Sequence, residues 1–152
     1  MSRGLSSVVG VLLVAAVTVL AAATVGAVAT VDPGTVAPTA RLSVSADAGE
    51  DRITLTHRSG ETLDVSGLSV VVAVDGEALD RQPPVPFFAA RGFESGPTGP
   101  FNSASPNTWS AGETASVWVA STNDPQLSAG AHVEVTVAVD GSVVAAVDTV
   151  AT

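Results

Sequence analysis

The pattern of hydrophobic and polar positions divides the chain into two regimes. From Leu5 to Val31 no residue carries a charge, and Val, Leu and Ala fall on every side of a helical projection. A membrane-spanning helix needs about 20 apolar residues, and this run exceeds that. As a helix it would be roughly 40 Å long at 1.5 Å per residue. A helix that is apolar all round must sit in lipid or be enclosed by protein. Asp32-Pro33-Gly34 closes the run and Pro38 follows shortly. Residues 32–39 therefore read as a linker.

Beyond residue 40 the period changes to two. Leu42, Val44 and Ala46 share one face, and so do Ile53, Leu55 and His57. Leu68, Val70, Val72 and Val74 alternate with Ser69, Val71 and Ala73, and Val133 to Val139 alternate with Glu134, Thr136 and Ala138. Alternation of β-branched residues predicts half-buried strands, here near 42–46, 51–57, 62–65, 68–74, 78–81, 114–120, 131–139 and 143–150. Asp75-Gly76 and Asp140-Gly141 are hairpin signals between such runs, and Ser59-Gly60 reads as a further turn. No amphipathic helix of useful length follows residue 40. The pattern predicts an α+β chain: a single N-terminal hydrophobic helix, then an all-β antiparallel sandwich over 40–152, immunoglobulin-like in its strand spacing. Val71, Ala73 and Trp118 fall on faces opposite the predicted core, which calls for something to cover them.

Residues 82–113 break the alternation. All four Phe, namely Phe87, Phe88, Phe93 and Phe101, lie there with Trp109, among six prolines from Pro83 to Pro106. A structureless loop of this length is uncommon in a compact domain, and its aromatic content argues against disorder. Two readings stand. The rings fold over an open edge or face of the sandwich, or they form a contact surface with aromatic anchors. Arg91 inside the loop is expected to pair locally or to hydrogen-bond loop carbonyls.

Charge narrows the function classes. The net charge is -9, the six basic residues are all arginine, and every acid lies at or beyond Asp32. Binding to nucleic acid needs a basic footprint, so that role is not expected. An acidic, lysine-free composition resembles that of proteins from extreme halophiles. The absence of cysteine removes disulfides, thiolate metal sites, a cysteine nucleophile and a lipidated N-terminal cysteine.

Catalytic motifs are missing. The HExxH, GxSxG, phosphate-loop and GxGxxG patterns do not occur. His57 and His132 are the only histidines, and neither has acids at metal-ligating spacing. Both read as structural or solvated. Glu50-Asp51 reads as a turn without a calcium-loop motif. The expectation is no catalytic residues, no metal, no cofactor and no enzyme activity. Asn102, Asn107 and Asn123 all fail the glycosylation pattern.

The opening run has three fates. Ala27-Val28-Ala29 offers a small-x-small signal peptidase site, with cleavage after Ala29. An uncleaved run would be an anchor, with Met1 in the cytoplasm by the position of Arg3. The third fate is cleavage between Gly4 and Leu5, which keeps the helix. Arg3-Gly4 directly before an apolar start, with Gly10 a few residues on, resembles the N-terminus of archaeal type IV pilins, particularly haloarchaeal ones. Many relatives have Pro where this chain has Ser7. Bacterial type IV pilins carry Glu where this chain has Val9. The stretch from Gln82 to Val117 resembles, more loosely, the outer domain of haloarchaeal pilin-like proteins.

The resemblance implies a class III signal leader over 1–4, a processing site at Arg3, Gly4 and Leu5, and a filament-core helix over 5–31. It implies prepilin peptidase and other pilin subunits as partners. The chain would be a single-pass membrane protein before assembly and part of an extracellular, adhesive filament afterwards. Small residues four apart, Ser6 with Gly10, Ala22 with Gly26 and Ala23 with Ala27, would let such helices pack closely. The rival reading is a membrane-anchored β-sandwich that binds a ligand through the aromatic loop.

Overall fold

The computed structural model describes residues 36–152. The leader, the helix expected over 5–31 and the linker up to residue 35 lie outside the described residues. So do the processing residues Arg3, Gly4 and Leu5 and the packing residues Gly10, Ala22, Ala23, Gly26 and Ala27. Among the described residues no helix is long and apolar enough to cross a membrane.

Residues 40–152 are built from antiparallel strands. In chain order they are β1 (Ala40–Asp47), β2 (Arg52–Gly60), β3 (Leu63–Asp64), β4 (Leu68–Val74), β5 (Glu77–Ala78), β6 (Thr108–Trp109), β7 (Thr114–Trp118), β8 (His132–Val139) and β9 (Ser142–Val150). One sheet has the order β1-β2-β7 and another β5-β4-β8-β9, and β3 and β6 pair on their own. The strands predicted from alternation fall in the two larger sheets, except the one expected near 62–65, which pairs with β6. In β4 and β8 the register sets Val70 beside Val137, Val72 beside Val135 and Val74 beside Val133. In the other sheet Ala46, Ile53 and Val117 align, as do Val44, Leu55 and Ala115. These faces meet in one hydrophobic cluster. Each fully buried valine or leucine stabilises it by about 1.5–3 kcal/mol relative to exposure.

Both Asp-Gly pairs make the hairpins expected of them. Asp75 and Asp140 have φ of 50° and 48°, and Gly76 and Gly141 follow at 81° and 82°. Two successive positive φ values are the type I′ pattern, whose twist matches the flanking strands. Glu50-Asp51 also turns, because the Asp47 carboxylate accepts from the Gly49 and Glu50 amides at 2.9 and 3.1 Å.

Other sequence expectations are corrected. Ser59-Gly60 is no turn: Ala40 pairs with Gly60 and Arg41 with Ser59. The ladder runs on because the Glu61 amide still reaches the Thr39 carbonyl at 2.8 Å. The strand expected at 62–65 stops at Asp64, whose carboxylate accepts from the Ser66 amide and starts a 3-10 turn over Val65–Gly67. The strand expected at 78–81 is only Glu77–Ala78, because Asp80 and Arg81 bond instead to Asp124 and Asn123. β7 ends at Trp118 rather than at residue 120. Val71 is 46% exposed, and among the described residues nothing covers it.

Asp64 supplies a pH test. The hydroxyl of Ser66, and then its amide, donate to the carboxylate and hold its pKa below the usual aspartate range. A depressed carboxylate stabilises the fold above the ordinary pKa, and that contribution is lost as pH falls through the lower, folded value. Asp64→Asn is therefore expected to lower the denaturation midpoint at neutral pH. Its midpoint should approach that of the parent chain once pH drops below the aspartate range. Denaturation curves across that range check this.

Candidate functional site

The long segment between β5 and β7 is ordered by its own bonds to the sheets. Gln82 begins it, and its side chain stands where a neighbouring strand would. The Val72 amide donates to Gln82 Oε1 at 2.7 Å, and Gln82 Nε2 donates to the Val72 and Leu79 carbonyls at 2.9 and 3.1 Å. Further on, the chain lies antiparallel along the open edge of β7. The Glu94 amide donates to the Trp118 carbonyl at 3.0 Å, the Ala120 amide to Gly92 at 2.9 Å and the Thr98 amide to Ser116 at 3.0 Å. Covering the edge this way satisfies groups that would otherwise template aggregation.

Of the six loop residues singled out from the sequence, four go inward. Phe87 and Phe93 are buried, with ring centroids 5.9 Å apart. Phe101 and Trp109 are buried edge to face, with centroids 5.2 Å apart at 72°. Trp109 is fully buried, and its Nε1 donates to the Glu113 carbonyl at 3.0 Å. These rings complete the core, which is the first of the two sequence readings. Phe88 stays 61% exposed, and Arg91 is exposed too. Among the described residues Arg91 makes neither the local ion pair nor the loop-carbonyl hydrogen bond expected of it.

The two histidines are placed differently. His57 lies within β2, fully buried, its ring edge to face with Trp109 at 5.9 Å. Its Nε2 is 2.8 Å from the Glu61 carbonyl, while Nδ1 has no partner. A carbonyl only accepts, so Nε2 donates to it, and Nδ1 is left buried without a hydrogen bond. His132 begins β8 at the surface, 3.6 Å from Glu134 and 3.7 Å from Asp148. Strand pairing brings Asp148 there, which sequence spacing could not show. Among the described residues no group of three His, Cys, Asp or Glu is arranged to hold a metal ion.

Two clefts flank the segment around Gly92. One, of about 430 Å³, is lined by Glu50, Asp51, Glu94, Ser95, Gly96, Trp118 and Val119. The other, of about 340 Å³, is lined by Arg81, Arg91, Gly92 and Thr122. Arg81, Thr122 and the buried Asn123 beneath them carry no local motif, and only long-range pairing brings them to Arg91. Searches against protein-family models and against characterised proteins find no match for this chain.

Proposed function

We propose that the chain is a structural, pilin-like subunit of an archaeal type IV pilus-like surface filament. One observation carries this reading: Arg3-Gly4 stands immediately before an uncharged run with no polar stripe, and a β-rich domain follows. Prepilin peptidase would cut at Gly4–Leu5 and remove Arg3. An uncharged helix can leave lipid for a packed protein core at little cost, since the two are similar solvents. Helices over 5–31 would then bundle, and the outer domains would coat the filament. That outer domain is best read as a β-sandwich with immunoglobulin-like strand spacing, its two larger sheets sharing one core. The exposed Phe88 suits attachment to surfaces or to neighbouring subunits.

N-terminal sequencing of the mature protein tests the proposal. A start at Leu5 is expected, and a start at Thr30 would overturn it. Gly4→Leu is expected to block processing and leave the chain in the membrane, with surface filaments lost under electron microscopy.

A second reading is a membrane-anchored module that binds a ligand. It is favoured by the 430 Å³ cleft, where the half-buried Trp118 meets Glu50, Asp51 and Glu94. An ordinary anchor would be indifferent to Gly4→Leu, so the same variant separates the two.

A further inference from the structure

The chain carries fifteen acids, yet two of its arginines share a cleft that no acid lines. Arg81, Arg91, Gly92 and Thr122 form its walls. Among the other described arginines, Arg41 also has no ion pair or side-chain hydrogen bond and lies outside this cleft, whereas two have partners. Arg52 lies 3.1 Å from Glu50 and 3.9 Å from Asp47, and Arg58 Nε donates to Ser43 Oγ at 2.8 Å. Among the described residues neither Arg81 nor Arg91 has an ion pair or a side-chain hydrogen bond. Two like charges in one cleft repel, and the fold nevertheless holds their backbones together.

Asn123 holds them. It is completely buried. Its Oδ1 accepts from the Arg81 amide at 3.0 Å and the Asp124 amide at 3.1 Å. Its Nδ2 donates to the Arg81 carbonyl at 2.9 Å and the Gly92 carbonyl at 3.1 Å. That is the full capacity of a side-chain amide, and it ties two segments far apart in sequence. The approach is close: a Cβ added at Gly92 would lie 2.7 Å from Arg81 Cβ and 2.8 Å from Asn123 Nδ2. Gln126 Nε2 donates to the Asn123 and Ala120 carbonyls and braces the clamp from behind.

We propose that the Arg81–Arg91 cleft is a carboxylate-binding site. Each guanidinium is a planar fork matched to the two oxygens of a carboxylate, and the Thr122 hydroxyl adds a neutral donor at the wall. The carboxylate comes either from a small free acid or from the acidic surface of a second copy of this chain. The site does not depend on whether the chain polymerises.

Phenylglyoxal, which modifies arginine guanidinium groups, tests the site on the full chain, with each modified arginine located by peptide mass spectrometry. Succinate at ten times its Kd should slow modification of Arg81 and Arg91 about tenfold by mass action. Sodium chloride of equal ionic strength should not, and Arg41 should react at the same rate throughout. Protection that rises with protein concentration when no succinate is present assigns the carboxylate to a second copy. Protection by succinate alone assigns it to a free acid. Asn123→Ala should abolish protection. Thr122→Val leaves the clamp intact and should weaken protection, so it reports on the cleft even if the first variant fails to fold. Equal rates at all three arginines in every condition would overturn the proposal, as would stronger protection by inorganic phosphate than by succinate. Unchanged protection in both variants would overturn it too.

Discussion

Trp109→Ala is expected to cost about 4 kcal/mol of folding stability, the usual scale for emptying a buried tryptophan site. That is a large share of the total for a domain of this size. Trp109 is fully buried, and it touches His57 on one side and Phe101 on the other at edge-to-face distances of 5.9 and 5.2 Å. Truncation removes both contacts and leaves the Glu113 carbonyl without the indole donor. It also opens a hollow beside the His57 ring, whose Nδ1 already lacks a partner. Phe88→Ala is the matched control from the same segment. Its ring is mostly exposed, so the change should be within about 0.5 kcal/mol. Denaturant unfolding followed by circular dichroism measures both. A cost below about 1 kcal/mol for Trp109→Ala would mean that the long segment lies on the core rather than in it.

Gly99→Val should be nearly as damaging, by a different route. Gly99 has φ of 61°, and a Cβ there would sit 2.1 Å from the Thr114 carbonyl oxygen. That oxygen is backbone at the start of β7 and cannot swing aside. A β-branched residue adds its own strain at positive φ. A cost of about 3 kcal/mol or more is expected from overpacking and strain together. Damage should begin locally, because the Thr98 amide bonds to the Ser116 carbonyl and the Ser116 amide to Thr98 Oγ1. Hydrogen exchange at those two amides should accelerate before the β4–β8 ladder loosens. Uniform acceleration over both sheets would argue that the segment and β7 unfold with everything else.

The larger sheets were legible in the sequence because alternation is a local signal. Val70, Val72 and Val74 declare their face within seven residues, and each Asp-Gly pair declares its turn within two. Side chains that bond far along the chain left no such trace. Nothing near Gln82 says that its amide will serve Val72, and nothing near Asn123 says that it will bind Arg81 and Gly92. One failure at a strand end shares this cause: the predicted 78–81 strand gave way to bonds with Asn123 and Asp124. Asp64 instead ended its strand locally, through its carboxylate and Ser66 two residues on. The aromatic segment lay between these cases. Its composition indicated order, while the inward placement of Phe87, Phe93, Phe101 and Trp109 depends on where β7 leaves its edge open. Strand pairing likewise brought Asp148 to His132, and the Asn123 amide brought Arg81 to the Gly92 segment, across intervals that sequence spacing cannot measure.

The amide of Gln82 gives the β4 border an unusual kind of closure. A real neighbouring strand is held along its length and departs only when many bonds break together. A single side chain can swing away by rotation about its own torsions and return, with the sheet undisturbed. The Val72 amide is thus guarded by a latch rather than a wall, while the Val72 carbonyl keeps the Leu79 amide at 3.0 Å. Shortening that latch with Gln82→Ala would expose a bare amide on the border of an otherwise intact domain, and its first symptom should be concentration-dependent clumping rather than a lower melting temperature.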